Sequence, residues 1–125
     1  MPPMGAKGAG FDVKRIYDPP ADDDGYRVLV DRLWPRGVAK EAAGIDLWLK
    51  EVAPSTGLRK EFGHHRERFA EFAEQYRHEL DGNHAVAKLL DLAARHPRVT
   101  LLYAARDTEA NHARVLLDYL APDPD

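Results

Sequence analysis

The sequence YRVLVDRLWPRG spans Tyr26–Gly37 and joins a strand-like apolar run to charged and aromatic residues. The Val28–Val30 triplet is typical of a buried β-strand, and Pro35 and Gly37 stop such a strand within a few residues. In open α/β sheets, ligands bind at the C-terminal ends of the strands because loops and helix N-termini converge there. We therefore predict a polar site at this end, containing Asp31, Arg32, Trp34 and Arg36.

Two further runs are typical of β-strands. Val13–Tyr17 (VKRIY) is short and is connected to the central strand by a polar loop, and Val99–Tyr103 (VTLLY) is a second apolar strand. Because helix-length segments separate Val28–Asp31 from Val99–Tyr103, we expect these two strands to be parallel and near each other. Their apolar character requires burial on both faces. The pattern predicts a three-layer α/β domain with a small, mainly parallel sheet flanked by helices.

Helical periodicity accounts for most of the chain between and after these strands. Apolar residues spaced three and four apart predict helices, and Ser55 or Thr56 and Asp107 or Thr108 are suitable N-caps. Gly63 and Pro97 are typical of helix ends. The predicted helices are Glu41–Val52, a short helix that ends at Phe62, Arg66–Leu80, a helix around Val86–Ala93 and a final helix containing His112–Tyr119.

Composition limits the domain count and the chemistry. The 125 residues suit one α/β domain over residues 12–121, with a flexible leader over residues 1–11 and a tail over residues 122–125. A net charge of −3 disfavours sequence-specific DNA binding, and the sequence has no cysteine, which excludes disulfides and a cysteine nucleophile. Because no apolar run is long enough to cross a bilayer, we expect a cytoplasmic protein without membrane contact.

The segment after Val99–Tyr103 is the second place where chemistry is expected. It reads AARDTEANH and is predicted to be a tight loop followed by a helix start, whose backbone N–H groups favour an anion. Arg106 would lie at the mouth of this loop, with Asn111 and His112 in the first helical turn. The alternative is that Asp107 is only a cap, Arg106 a surface ion-pair partner and His112 a core residue.

Arginine density favours an anion site over a purely structural ion pair at Asp31 and Arg32. Our first hypothesis is an enzyme in which Arg32, Arg36 and Arg106 converge on a phosphate. The acid–base candidates would be Asp31 and His112, with Tyr103 as a hydrogen-bonding residue or weak nucleophile. Arg27, Trp34 and Asn111 complete the predicted ligand-binding set.

Other polar residues are interpreted more simply. Arg59 is predicted to lie on a solvated helix face, and Ser55 is a better cap than nucleophile. The pair His64-His65, with His84, is a weak signal for zinc because no cysteine or i,i+4 histidine pair accompanies it. We therefore predict no metal site and leave any cofactor and the oligomeric state open.

Four segments resemble one family of proteins. KRIYDPP, DGYRVLVDRLWPRG, WLKEVAPSTGLRKEFGH and VTLLYAARDTEANHA closely resemble the YeaO-like branch of the DUF488 family of uncharacterised bacterial proteins. The resemblance implies a Rossmann-like fold related to rhodaneses and cysteine phosphatases, in which an anion-binding loop follows a central strand. Other branches have a cysteine at that strand end and a Cys-His-Arg run, whereas this sequence has Tyr103 and Asn111-His112-Ala113.

The resemblance also implies a phosphorylated small molecule, a nucleotide or a nucleic-acid end as ligand. Two functions stay open: an enzyme without cysteine chemistry, and a non-catalytic module that binds a nucleotide, another anion or a partner. In either case we expect no sulfur-transfer or cysteine-phosphatase activity, since both need a thiolate nucleophile.

Overall fold

The computed structural model describes residues 10–63 and 65–121, without the side chains of residues 42 and 43. In this part of the chain, four strands form one sheet in the order β1-β4-β2-β3, and all three pairings are parallel. The strands are β1 Phe11–Arg15, β2 Tyr26–Leu29, β3 Leu47–Trp48 and β4 Val99–Tyr103. The helices are α1 Lys40–Ala43, α2 Thr56–Phe62, α3 Phe69–Asp81, α4 Ala85–Arg95 and α5 His112–Leu120.

The predicted α/β fold and its parallel strand pair are confirmed. β2 and β4 are adjacent, with Val28 opposite Leu101 and Leu29 opposite Leu102. The crossover between them contains α2, α3 and α4, which returns the chain in the same direction. The C-terminal ends of β2 and β4 therefore lie side by side.

Alternation along the strands divides the core between the two faces of the sheet. Val28, Val30 and Leu101 point into the larger cluster, which also contains buried residues of α2, α3, α4 and α5. Leu29 and Leu102 point to the opposite face, where the covering residues come mainly from the segment that includes α1 and β3. These covering residues are Trp34, Val38, Ile45 and Trp48.

The predicted helix over Glu41–Val52 is wrong. α1 ends at Gly44, which has a left-handed φ of 62°, and the chain then pairs with β2 as β3. The backbone N–H of Leu49 donates to the Leu29 carbonyl over 2.9 Å, and a 3₁₀ turn follows at Lys50–Val52. The spacing of the apolar residues reflects their burial against the sheet, and strand pairing outweighs the helical pattern.

Most helix ends agree with the sequence predictions. Ser55 caps α2 and accepts a hydrogen bond from the Leu58 N–H over 3.2 Å. α5 begins later than predicted, because its N-cap is Asn111 and not Asp107 or Thr108. Asp107 instead accepts the N–H groups of Glu109 and Ala110 at 2.9 and 3.0 Å, which forms a turn before the helix.

The ends of the chain are only partly described. β1 starts at Phe11, which is buried and lies within the predicted leader. The predictions for residues 1–9, for the tail over residues 122–125 and for His64 fall outside the described residues. Within residues 10–63 and 65–121, no helix is long and apolar enough to cross a bilayer.

Candidate functional site

A cavity of about 250 Å³ lies at the C-terminal ends of β2 and β4. Most of its wall is apolar, and one side carries the start of α5. Its charged and titratable lining residues are Asp31, Arg32, Arg59 and His112. The apolar lining includes Leu33, Pro54, Phe62 and Phe72. The cavity thus occupies the edge of the sheet that the sequence predicted for a site.

The strand pairing brings the site together. Val30 continues the ladder beyond β2 by donating its N–H to the Leu102 carbonyl over 3.0 Å. Asp31 follows, and its Oδ2 accepts the Ala104 N–H over 3.0 Å. This bond ties the end of β2 to the end of β4, so the carboxylate has a fixed position at the base of the cavity.

Asp31 and His112 form a close pair that is mostly buried. His112 Nε2 lies 3.1 Å from Asp31 Oδ1 and 3.1 Å from the Val30 carbonyl oxygen. Oδ1 itself is buried and meets hydrogen-bond geometry with no group of residues 10–63 and 65–121. The Nε2–H is therefore assigned to the Val30 carbonyl, with the Oδ1 charge beside it.

Arg32 shapes the cavity wall. Its Nε donates to the Pro54 carbonyl over 3.1 Å, and its Nη2 donates to the Ala53 carbonyl over 3.2 Å. These bonds fasten the end of β2 to the segment that leads into α2. Two of the five N–H donors of Arg32 are thus used within the protein, although its charge stays at the cavity.

Arg59 supplies the second cation of the cavity. It lies on α2, is exposed, and its guanidinium makes no ion pair or hydrogen bond with another described residue. The prediction of a merely solvated helix charge misses this position. No local pattern identifies it, because the placement of α2 beside the strand ends depends on tertiary contacts.

One of those contacts is a half-buried anchor between the N-cap of α2 and α3. Glu79 accepts the Ser55 N–H over 2.9 Å with one carboxylate oxygen and the Ser55 hydroxyl over 2.6 Å with the other. Since Ser55 is also the N-cap of α2, the anchor orients the whole helix. Arg59, one turn further along α2, lines the cavity.

Asn111 and Tyr103 have structural roles close to the site. Asn111 lines the cavity, but its Nδ2 donates to the Asp107 carbonyl over 2.7 Å and its Oδ1 accepts the Arg114 N–H over 3.0 Å. Tyr103 packs in the larger core cluster and is not part of the cavity lining. Burial raises the pKa of the Tyr103 hydroxyl, which disfavours the nucleophilic phenolate.

Arg27 and Trp34 are held away from the cavity. Arg27 is buried near the opposite end of β2, where it forms an ion pair with Asp24 and donates to the Gly44 carbonyl over 3.0 Å. Trp34 donates its Nε1–H to the Val38 carbonyl over 2.7 Å and contacts Trp48 edge to face. Both side chains thus stabilise the fold on the side opposite α5.

The predicted convergence of three arginines is corrected by the structure. Arg32 lines the cavity, whereas Arg36 and Arg106 are exposed and do not line it. After Arg32 the chain crosses to the other sheet face with Trp34, and this carries Arg36 away from the strand ends. The two arginines that line the cavity are Arg32 and Arg59.

Metal-ligating residues do not cluster in the part of the chain that the structure describes. No group of three or more histidine, aspartate or glutamate side chains there is arranged to hold a metal ion. His65 lies on the surface, 3.6 Å from Glu67. The site is therefore described by its protein groups alone.

Comparison with known proteins assigns the family. Residues 10–123 match the family model described as "Inactive DUF488-N3 subclade", so the chain belongs to the DUF488 family. It is 51% identical to the uncharacterized protein YeaO of Escherichia coli K12 over 108 residues, which cover 86% of this chain and 93% of YeaO. The predicted YeaO-like branch is confirmed.

Two mycobacterial relatives align with this chain over the same number of residues as YeaO, with lower identity. The uncharacterized proteins Mb3100c of Mycobacterium bovis and Rv3073c of Mycobacterium tuberculosis are each 44% identical over 108 residues. These residues cover 86% of this chain and 91% of each relative. No solved structure gives a significant match.

Proposed function

We propose that this protein binds a small phosphate-bearing or nucleotide-like anion in the cavity and does not convert it. The observation that carries the proposal is that two arginines, Arg32 and Arg59, line one mostly apolar cavity at the strand ends. Guanidinium groups bind phosphate through charge-assisted hydrogen bonds. The aromatic wall of Phe62 and Phe72 suits the uncharged part of such a ligand.

The charge balance of the cavity favours an anion. Among the described lining residues Asp31 is the only acidic one, and its carboxylate is engaged by the Ala104 N–H and lies beside His112. The Arg59 guanidinium has no carboxylate partner among the described residues. The start of α5 adds the partial positive charge of a helix N-terminus at the same wall.

The size of the cavity limits the ligand. Pockets for drug-sized molecules measure about 300–1,000 Å³, and this cavity of about 250 Å³ is smaller. It suits a small phosphate ester, a mononucleotide or the terminal phosphate group of a nucleic acid. The proposal includes the cytoplasmic location expected from the sequence, since phosphorylated metabolites and nucleotides are abundant there.

The absence of a thiol, hydroxyl or amine nucleophile from the described cavity lining supports binding without turnover. The sequence has no cysteine, and the described cavity lining contains no serine, threonine, tyrosine or lysine. The description of the matching family model as an inactive subclade is consistent with this interpretation. We accordingly propose no sulfur-transfer or phosphatase activity.

A second candidate function is an enzyme that uses acid–base chemistry. The observation that favours it is the 3.1 Å approach of His112 Nε2 to the Asp31 carboxylate, an arrangement that orients an imidazole for proton transfer. This candidate requires turnover of the bound ligand. Binding without turnover is the result that separates the two.

Arg59→Met is expected to weaken the binding of an anionic ligand about tenfold or more, since a hydrogen bond to a charged group contributes about 1.5–3 kcal/mol. Titration calorimetry would measure the dissociation constants of inorganic phosphate, AMP, glycerol 1-phosphate and a 5′-phosphorylated oligonucleotide. The last two separate a free phosphate ester from a nucleic-acid end. Arg36→Met and Arg106→Met are matched controls, because both arginines are exposed and lie outside the cavity lining.

The control arginines make the result decisive. The proposal holds if only Arg59→Met weakens binding of at least one of these ligands. It is wrong if all three variants bind like wild type, or if the controls lose as much affinity as Arg59→Met. Any ligand that binds should then be followed by NMR for products, and product formation that His112→Gln abolishes would establish the enzyme instead.

A further inference from the structure

His112 is held so that two oxygen atoms face the same ring nitrogen. Nε2 lies 3.1 Å from the Val30 carbonyl oxygen and 3.1 Å from Asp31 Oδ1. Both oxygens are fixed: Val30 belongs to the β2–β4 ladder, and the Asp31 carboxylate is tied to the Ala104 N–H. The position of Nε2 is therefore determined by the sheet and does not depend on a ligand.

This arrangement selects one tautomer of the neutral imidazole. A carbonyl and a carboxylate are both acceptors, so the ring proton must lie on Nε2. A lone pair at Nε2 would face two further lone pairs at hydrogen-bond distance. Nδ1 of the neutral ring therefore has no proton and is a hydrogen-bond acceptor.

Nδ1 has no competing partner in the described part of the chain. His112 Nδ1 makes no hydrogen bond with a described residue, and unlike Asp31 Oδ1 it is not fully buried. Because His112 lines the cavity, this nitrogen is available to a ligand. The nearby Tyr76 hydroxyl does not compete, since it donates to the Val52 carbonyl over 2.6 Å.

We infer that His112 Nδ1 is a specificity-determining acceptor, which selects anions that carry an O–H or N–H donor close to the charged group. Asp31 is a positioning residue that fixes the tautomer of His112. Arg59 and Arg32 attract the anion, and Nδ1 distinguishes hydroxylated or amino-bearing ligands from plain alkyl ones. This inference rests on the proposed function, because it assigns selectivity to the same cavity.

The ligand class that follows is a hydroxylated phosphate ester, such as a sugar or polyol phosphate or a nucleotide. Between two phosphate esters of similar size, the one with a hydroxyl near the phosphate gains one neutral hydrogen bond. Such a bond contributes about 0.5–1.5 kcal/mol, which corresponds to a preference of about two- to tenfold. Glycerol 1-phosphate and n-propyl phosphate form a suitable pair of probes.

The tautomer can be measured without any ligand. In ¹⁵N NMR spectra of the full chain at about pH 8.5, above the ordinary titration range of imidazole, His112 should show a protonated Nε2 and a bare Nδ1. Signals that disappear in His112→Gln identify the ring among the six histidines. In Asp31→Asn, the amide oxygen keeps the Ala104 bond and an NH₂ replaces the Oδ1 charge beside Nε2, while the Val30 carbonyl still accepts from Nε2, so the fraction of His112 with a protonated Nδ1 should rise without replacing the Nε2 tautomer. A protonated Nδ1 in wild type, or no change in Asp31→Asn, overturns the inference.

Ligand selectivity is the second measurement. Wild type should prefer glycerol 1-phosphate to n-propyl phosphate, and His112→Gln should bind the two esters equally. Glutamine places an amide near the Nε2 position and keeps a donor for the Val30 carbonyl, so the His112→Gln variant should still fold. Circular dichroism checks that it does, and a lost preference between the two esters then reports on ligand binding. Equal binding of both esters by wild type, weakened in both by Arg59→Met, rejects the inference and leaves the proposed function standing. Failure of inorganic phosphate, AMP, both esters and the 5′-phosphorylated oligonucleotide to bind wild type, while the tautomer is as expected, rejects the proposed function itself.

Discussion

Asp24→Asn is expected to lower the free energy of unfolding by about 3–5 kcal/mol, because it removes one partner of a buried ion pair. Asp24 is 7% exposed and accepts hydrogen bonds from the Ala21 N–H and the Lys14 ammonium, each over 3.0 Å. It also forms an ion pair with Arg27, which is 5% exposed. Asparagine keeps the shape but removes the carboxylate charge of Asp24 from beside the buried guanidinium.

Urea unfolding of the purified chain measures this effect. Asp91→Asn is the matched control, since Asp91 pairs with Arg95 on the surface of α4 at 3.1 Å with both side chains more than half exposed. That pair should contribute at most about 0.5 kcal/mol. If the two variants lose the same stability, the Asp24 pair does not stabilise the fold as its burial implies.

The pH dependence provides an independent check of the Asp24 pair. Burial raises the pKa of the Asp24 carboxyl, but hydrogen bonds from Ala21, Lys14 and Arg27 outweigh it, so the net pKa lies below the ordinary value of 3.8. The unfolded chain therefore binds the proton more readily, and the stabilisation by Asp24 is fully present above the unfolded pKa. It is lost as the pH falls through the lower, folded pKa. The difference between wild type and Asp24→Asn should shrink as the pH is lowered below about 4.

Much of the fold could be predicted where local pattern and tertiary environment agree. β4 is buried at all five positions, and its apolar run has no competing interpretation. α2 has a serine cap and a glycine end with a φ of 53°, and both signals are local. Consistency between propensity and burial makes such elements predictable.

The segment from Glu41 to Val52 could not be predicted, because its apolar spacing fits a helix while its backbone follows the sheet. The Asp46 N–H donates to the Arg27 carbonyl over 2.8 Å, and the Leu49 N–H donates to the Leu29 carbonyl. These bonds join residues that are about 20 positions apart in the sequence. Periodicity in a short window contains no information about such partners.

The residues of the site also differ in whether the sequence alone indicates their position. Asp31, Arg32 and His112 were predictable because parallel neighbours place their trailing residues at one edge. The sequence does not show where those side chains point, and Arg36 and Arg106, which were also predicted for the site, do not line the cavity. Arg59 was missed because its orientation depends on the Ser55–Glu79 anchor, a contact between two helices.

Tyr76→Ala is expected to lower the free energy of unfolding by about 3–5 kcal/mol, the usual cost of removing a buried aromatic ring. Tyr76 is fully buried, and its ring stacks on Phe72 with centroids 5.8 Å apart and meets His112 edge to face at 6.3 Å. Burial raises the pKa of the Tyr76 hydroxyl, which keeps it protonated as a donor to Val52. The residue thus joins the core of α3 to the histidine of the cavity.

Tyr76→Phe separates the ring from the hydroxyl. It should cost only about 1–3 kcal/mol, because the Val52 carbonyl loses one buried hydrogen bond while the aromatic packing stays. Since the ring still supports His112, Tyr76→Phe should keep the affinity for glycerol 1-phosphate. Tyr76→Ala should weaken that affinity even under conditions where the variant is folded. Urea unfolding measures the change in stability, and calorimetry measures the change in affinity. A loss of stability below about 1 kcal/mol in Tyr76→Ala would show that the ring is not a packing element, and equal affinities in all three proteins would show that it does not support the cavity.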